Sequence, residues 1–154
     1  MERAMEYIAQ LSKEGRRTLI SFPDCPGCQT FADRRDEVDA LAREALEGWL
    51  EAHLVTGDVP PLPSPRPRRR GKARRESRRV PIDPTLALRL TLRWARQARG
   101  LSQGQLAKLA GVSRQQISLL EAPDTNPTLT TLQKVAEALG MDLQISLTAR
   151  SSAA

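Results

Sequence analysis

Long apolar runs are missing from this 154-residue chain: no stretch reaches the roughly 18 to 20 apolar residues that a bilayer-spanning helix needs. The first residues, MERAMEY, have no apolar segment after their charges, so we expect no secretory signal and a cytoplasmic protein. Cysteine and histidine are scarce, at two and one residues. Two thiols and one distant imidazole do not complete a four-ligand zinc site. We therefore expect a soluble protein with neither metal nor cofactor.

Charge is distributed unevenly along the chain. Residues 1–65 hold 7 Lys/Arg and 12 Asp/Glu (net −5), residues 66–83 hold 9 and 2 (net +7), and residues 84–154 hold 8 and 4 (net +4). Such changes of charge between segments indicate separate domains with different partners. We predict an acidic domain at 1–65, a basic Pro/Arg-rich linker at 66–83, a basic helical domain at 84–149 and a tail at 150–154.

The stretch LSQGQLAKLAGVSRQQISLLE, residues 101–121, predicts two short helices joined by a tight turn. Two S-x-x-Q patterns, which begin at Ser102 and Ser113, are typical of helix capping boxes. Gly111 lies between them, where a left-handed backbone would end the first helix at little cost. The apolar residues of both helices recur at helical spacing and would share one inner face.

The second of these helices leaves polar side chains on its outer face. Arginine can bond guanine, glutamine can bond adenine, and an apolar side chain can contact the thymine methyl in the major groove. We predict base contacts from four residues and mainly phosphate contacts from two more. The predicted base-contacting residues are Arg114, Gln115, Ser118 and Leu119, and the phosphate-contacting residues are Gln103 and Ser113.

This stretch resembles the helix-turn-helix of the Cro/C1-repressor (XRE) family. The matching residues are Gln103, Leu106, Ala107, Gly111, Val112, Ser113, Ile117, Ser118 and Glu121. The resemblance implies a helical DNA-binding domain, for which the flanking sequence supplies a first helix at about Thr85–Arg99 and a last helix capped by Thr128.

The segment MDLQISL, residues 141–147, alternates apolar and polar residues, which is typical of a strand. No neighbouring segment could pair with it, and an unpaired strand edge exposes backbone groups that can pair with another chain. We therefore predict that Leu143, Ile145 and Leu147 belong to a dimerisation strand that pairs with a second copy of the chain.

In the acidic half, patterning predicts a hairpin, a third short strand at Gln29–Ala32, a helix from about Arg34 to Leu54 capped by Asp33, and a short last strand near Val59. This β-β-β-α(-β) order predicts a small sheet covered on one face by a helix. With the helical second domain, the fold class is α+β.

The acidic half also resembles the antitoxin HicB. The matching residues are Phe22, Pro23, Asp24, Pro26, Gly27, Cys28, Thr30 and Asp33, and then Glu44, Ala45, Leu46, Trp49, Leu50 and Glu51. The resemblance implies a partial RNase H-like fold and a HicA-type partner, a basic ribonuclease that cleaves mRNA. It also implies an antitoxin that represses its own operon by binding operator DNA. We place the toxin contact at Asp24 and Pro26.

The linker contains nine basic residues between Arg66 and Arg79 and almost no apolar residues that could be buried. This composition is typical of disorder in the free chain. Such a run can neutralise DNA phosphates without reading sequence. The predicted linker phosphate contacts are Arg68, Arg69, Arg70, Lys72, Arg74 and Arg75. The alternative is a solvated tether.

Two other classes of function stay open. One is a stand-alone transcriptional regulator whose first domain binds a ligand or oligomerises. The other is an enzyme, either a nuclease or a thiol oxidoreductase that uses Cys25 and Cys28 of the CPGC motif. A nuclease needs several clustered carboxylates, whereas the acidic residues here are explained by helix capping. His53 lies in an apolar stripe and is expected to be packed, so we expect no enzyme.

Overall fold

The structure is a computed structural model that describes residues 4–66, 76–123, 125–147 and 149. The chain forms two compact units, of which the first comprises Met1–Trp94 with Glu121–Asp124 and the second Ala95–Leu120 with Thr125–Ala154. The architecture is α+β, as predicted.

An antiparallel sheet of four strands, in the order β3-β2-β1-β4, forms the base of the first unit. The strands are β1 (Glu6–Glu14), β2 (Arg17–Ser21), β3 (Gln29–Ala32) and β4 (Glu76–Pro81). The predicted hairpin and third strand are confirmed. Gly15, at φ 63°, adopts the left-handed conformation in the turn between β1 and β2.

The last strand does not lie where the sequence predicted it. Val59 belongs to no strand and is 43% exposed. Instead β4, inside the segment predicted as linker, pairs with β1 so that Tyr7 lies opposite Val80. The prediction was wrong because this strand is mostly polar and charged, and Val80 is its only buried residue. Pairing with β1 therefore organises residues that have little apolar pattern of their own.

One helix, α1 (Val38–Thr56), covers the sheet. Its buried residues, spaced four apart, are Val38, Ala42, Leu46, Leu50 and Leu54. A 3₁₀ turn at Arg35–Glu37 precedes it, so the α-helix begins later than predicted. Asp33 does not cap this helix but forms an ion pair with Arg17 at 2.8 Å.

The next helix, α2 (Pro84–Ala98), begins where Asp83 accepts hydrogen bonds from the backbone N–H groups of Thr85 and Leu86. Leu86 and Leu90 are buried in the same core as Tyr7 and Leu50. The predicted ranges place this helix in the second domain, whereas the compact units divide it after Trp94. The domain ranges stay predictions.

The second unit contains three further helices: α3 (Gln103–Ala110), α4 (Arg114–Glu121) and α5 (Leu129–Ala138). Leu106, Ile117 and Leu139 are among its most deeply buried side chains. Thr128 caps α5 as predicted, since its hydroxyl accepts a hydrogen bond from the N–H of Thr131 at 3.2 Å. Within the described part of the chain, no helix has the length and apolarity to cross a membrane.

Residues 141–147 have no regular secondary structure in the single chain. Ile145 is 62% exposed and Leu147 is 96% exposed. A strand that pairs with a second copy would not form in one copy alone, so the dimerisation strand stays a prediction.

Candidate functional site

The turn between α3 and α4 is fixed by local hydrogen bonds. In the first capping box, the Ser102 hydroxyl accepts from the N–H of Gln105 at 3.1 Å, and the glutamine side chain accepts from the N–H of Ser102 at 2.8 Å. Ser113 and Gln116 repeat this arrangement at 3.1 and 2.9 Å. Gly111 stands between the two boxes at φ 64°. The predicted helix-turn-helix is therefore confirmed, with both helix starts where the sequence indicated.

The predicted base-contacting residues share the outer face of α4. Arg114, Gln115 and Ser118 are exposed, and so is Leu119, at 47%. Ile117 and Leu120, in contrast, are buried on the opposite face. An exposed helix face with a guanidinium, an amide, a hydroxyl and an apolar group can read base edges in a major groove.

The two predicted phosphate contacts lie at the starts of α3 and α4. Gln103 is half-buried at the first residue of α3, whereas Ser113 is exposed. The Ser113 hydroxyl already accepts the capping hydrogen bond, but it retains its own proton to donate. These DNA contacts stay predictions.

The only acidic residue of α4 is removed from its exposed face. Glu121 is 1% exposed and forms an ion pair with Arg93 of α2, with 3.5 Å between Nε and Oε2. The outer face of α4 consequently carries the positive charge of Arg114 and no negative charge that would repel phosphate. The partner of Arg93 was not predicted from the sequence. The spacing of Arg89 and Arg93, one turn apart on a helix otherwise rich in leucine, indicates only that these arginines are buried.

In the first unit, the loop between β2 and β3 is closed by backbone hydrogen bonds. The N–H of Phe22 donates to the carbonyl of Cys28 at 3.2 Å, and the N–H of Cys25 donates to the carbonyl of Phe22 at 3.0 Å. Pro26 and Gly27 form the exposed tip. The predicted toxin contact at Pro26 is thus at the surface and untested.

Asp24, the other predicted toxin contact, is turned inward. It is 7% exposed, and its carboxylate accepts hydrogen bonds from the N–H of Ser64 at 2.8 Å and from the hydroxyl of the same residue at 2.7 Å. This geometry gives Asp24 a structural role, which is to hold the proline segment 60–65. It argues against direct contact of this carboxylate with a partner.

The two cysteines are free and buried. Burial, with smaller contributions from Cys28 and Asp24, raises the pKa of the Cys25 thiol to about 12. Burial also raises the pKa of Cys28 to about 11. Both thiols are therefore protonated at neutral pH, whereas nucleophilic thiol chemistry needs the thiolate.

The single histidine is packed, as expected. Its ring lies 3.7 Å, centroid to centroid, from that of Trp49, and Nδ1 of His53 donates to the carbonyl of Trp49 at 2.8 Å. Among the residues that the structure describes, no three His, Cys, Asp or Glu side chains are grouped so as to hold a metal ion.

The predicted linker contacts Arg68, Arg69, Arg70, Lys72, Arg74 and Arg75 all lie outside the described residues. The two linker arginines on β4 are described. Arg78 forms an ion pair with Asp39 at 3.5 Å, and Arg79 forms one with Glu6 at 3.6 Å. Both of these linker arginines therefore pair with acidic residues of the first unit.

Comparison with known proteins gives matches for both halves of the chain. A helix-turn-helix family matches residues 92–145. Antitoxin HicB 1 of Photorhabdus laumondii subsp. laumondii is 28% identical over 129 residues, which cover 84% of this chain and 77% of that protein. Antitoxin HicB 2 of the same organism is 24% identical over 145 residues, which cover 94% of this chain and 98% of that protein.

Two further matches cover less of the chain. An uncharacterized HTH-type transcriptional regulator of Haemophilus influenzae is 45% identical over 51 residues, which cover 33% of this chain and 52% of that protein. A chain of a solved HicA3 and HicB3 toxin-antitoxin complex is 28% identical, has a TM-score of 0.41, and is matched over 52% of this chain and 100% of its own length. The chain thus carries a helix-turn-helix domain at residues 92–145 and is homologous to HicB antitoxins over most of its length.

Proposed function

We propose that this protein is an antitoxin that also represses transcription of its own operon. The observation that carries the proposal is the extent of the homology, since the HicB matches span 84% and 94% of the chain and therefore include the first unit. A stand-alone regulator would share only the DNA-binding part with its relatives, so this extent favours the antitoxin.

The partner of the first unit is a HicA-like toxin, a basic ribonuclease that cleaves mRNA. Residues 1–65 have 7 basic and 12 acidic residues, a net charge of −5. Opposite charge on two partners raises the rate of their encounter and disfavours wrong partners. We infer that the antitoxin neutralises the toxin by direct binding, in which the exposed tip at Pro26 is a candidate contact.

The partner of the helix-turn-helix is double-stranded operator DNA. The exposed face of α4 presents Arg114, Gln115 and Leu119 for base contact, and its acidic residue is buried. Operators are commonly read by two-fold dimers with half-sites about one helical turn of DNA apart. The exposed Ile145 and Leu147 support a dimer built through residues 141–147.

We infer that the protein has no enzymatic activity of its own. The proposal is supported by its two protonated, buried thiols and by the packing of His53 against Trp49. The acidic residues at the start of α1 pair with arginines instead of forming a carboxylate cluster: Asp36 pairs with Arg34, and Asp39 with Arg78.

The test is a titration of the full-length protein against the purified product of the adjacent toxin-sized gene, with cleavage of an mRNA substrate followed in parallel. We expect stoichiometric binding and loss of cleavage, together with binding of the full-length protein to DNA from its own promoter. A neighbour that neither cleaves RNA nor binds would contradict the antitoxin function, even if DNA binding were found.

A further inference from the structure

A groove of about 420 Å³ lies between α5 and the segment that follows it in the second unit. A water molecule takes about 30 Å³ of liquid volume, so the groove has room for large side chains. Its apolar lining is formed by Leu129, Ala136, Met141, Leu143 and Ile145. Leu129 is 61% exposed there. The groove therefore leaves apolar surface of the second unit in contact with water.

The segment 141–147 also carries exposed apolar side chains. Met141 and Leu143 are half-buried along the groove, whereas Ile145 is 62% exposed and Leu147 is 96% exposed. All four stand at odd positions, so in a strand they share one face, opposite the polar residues at even positions. In the single chain, this apolar face is thus covered over its first half and open over its second half.

We propose that a second copy of the chain fills the groove, through antiparallel pairing of the two 141–147 segments about a two-fold axis at Ile145. The inference rests on the dimer in the proposed function and adds the surface that the second copy covers and the register of the pairing. In this register, Ile145 lies opposite the same residue of the second copy, and Leu147 lies opposite the second copy's Leu143. Because Leu143 lines the groove, Leu147 of each copy enters the groove of the other.

A second copy fits the groove because the surface is self-complementary. The groove and the exposed side chains belong to the same segment, so a two-fold axis brings the groove of each copy to the exposed side chains of the other. The pairing also forms backbone hydrogen bonds between the two segments. On the polar face, Gln144 lies opposite the second copy's Ser146, so no like charges meet there.

The residue pattern selects this register. Two-fold pairing with a residue on the axis keeps odd positions opposite odd positions, so the apolar side chains of both copies stay on one face. An axis at Asp142 would set two carboxylates opposite each other, which is destabilising. The alternation of the sequence runs from Met141 to Ala149, and Ile145 is at its centre. An axis at Ile145 therefore pairs more apolar residues than an axis at any other position.

Cross-linking of the full-length protein tests the register. Ile145→Cys places its thiol opposite that of the second copy, and the Cα atoms of opposite residues in antiparallel strands, about 4.5 or 5.5 Å apart, suit a disulfide. Gln144→Cys is the matched control, because its thiol lies opposite Ser146 and farther from its own copy. Under mild oxidation, we expect Ile145→Cys to form covalent dimers at least about tenfold faster than Gln144→Cys. Equal rates, or a faster Gln144→Cys, would overturn the register.

Leu147→Ala tests whether the second copy enters the groove. Leu147 is 96% exposed in the single chain, so its truncation should leave the thermal unfolding of a monomer unchanged. In the dimer, the substitution removes a buried side chain from each copy, so the dissociation constant of the dimer should rise at least about tenfold. Sedimentation at several protein concentrations measures it. Leu109→Ala on α3 is the control, because it is the same truncation at a residue that is 62% exposed, and it should leave the dimer unchanged.

The outcomes separate this inference from the proposed function. If Leu147→Ala weakened the dimer no more than Leu109→Ala, the groove would not hold the second copy. If Leu147→Ala weakened toxin binding and left the dimer intact, the toxin would be the occupant and the inference would be overturned. A wild-type monomer would overturn both the dimer and this inference, whereas the titration with toxin would still decide the antitoxin function.

Discussion

Hydrogen bonds with three buried or half-buried side chains hold the proline segment of the first unit in place. Asp24 accepts two bonds from Ser64, the Tyr7 hydroxyl donates to the carbonyl of Pro61 at 2.9 Å, and Nε1 of Trp94 donates to the carbonyl of Pro60 at 2.7 Å. Buried polar groups cost free energy unless they are paired. These bonds therefore replace the backbone ladder that a proline-rich segment cannot form.

Asp24→Ala should lower the free energy of unfolding by about 2 kcal/mol, because it removes two hydrogen bonds to a buried carboxylate. Chemical denaturation of the full-length protein measures the change. Asp58→Ala is the control, since its exposed carboxylate accepts only a local bond from the Thr56 hydroxyl at 3.0 Å. Equal effects of the two substitutions would contradict a structural role for Asp24.

Gln115→Ala should reduce discrimination between the operator and its single-base variants by about 1–3 kcal/mol at one base-pair position. The reason is that a glutamine on the exposed face of α4 can bond adenine through two atoms. Binding titrations on a panel of operator variants measure this discrimination. Gln133→Ala, on the exposed side of α5, is the control. Equal weakening on every sequence would show that Gln115 does not read a base.

At the scale of elements, two exposed glycines should respond to alanine in opposite directions. Gly111 ends α3 at φ 64°, whereas Gly48 lies inside α1, and an added methyl group would meet no atom within 4 Å at either position. The sign of each change in stability therefore depends only on the backbone conformation at the glycine. Gly111→Ala should destabilise the protein by about 1–2 kcal/mol, and Gly48→Ala should stabilise it by about 1 kcal/mol. Thermal unfolding of both variants checks the signs, and a stabilising Gly111→Ala would refute the left-handed turn.

The helices could be predicted from the sequence because their signals are local. Ser102, Ser113 and Thr128 cap the helices that follow them, and periodicity alone places Arg114 and Gln115 on an exposed face. Such signals need no knowledge of the rest of the chain.

The last strand and the buried ion pair could not be predicted because their partners are distant in sequence. β4 becomes a strand by pairing with β1, where Ile8 lies opposite Arg79. From the sequence alone, Arg93 and Asp24 would be expected at the surface. In the structure, Arg93 bonds the carbonyl of Leu54, and Asp24 bonds the backbone N–H of Ser64. The structure of these parts of the chain therefore depends on contacts between residues far apart in sequence, which a local pattern does not contain.

For the whole molecule, Ile145→Glu should turn a dimer into a monomer. Ile145 is 62% exposed, so a charge there costs little in a single chain but would be buried and unpaired in an intermolecular strand. Sedimentation measures the mass of the variant and of the wild type. Gln144→Glu is the control, because it places the charge on the neighbouring exposed polar residue. A wild-type monomer would contradict the predicted dimerisation strand.

The first unit should not fold from residues 1–65, although the charge distribution suggests a boundary there. This fragment lacks β4, so β1 loses one of its two neighbouring strands. The core also loses Val80, Leu86 and Leu90. Each buried aliphatic side chain contributes about 1.5–3 kcal/mol, and the whole stability of a typical domain is only about 5–15 kcal/mol.

Residues 1–98 keep β4 and all of α2 and provide the comparison. We expect cooperative thermal unfolding and toxin binding from this longer fragment, and neither from residues 1–65. Circular dichroism and titration with toxin measure both properties. A shorter fragment that unfolds cooperatively and binds toxin as tightly as the longer one would show that β4 and α2 are dispensable, and that the toxin-binding part ends before the basic segment.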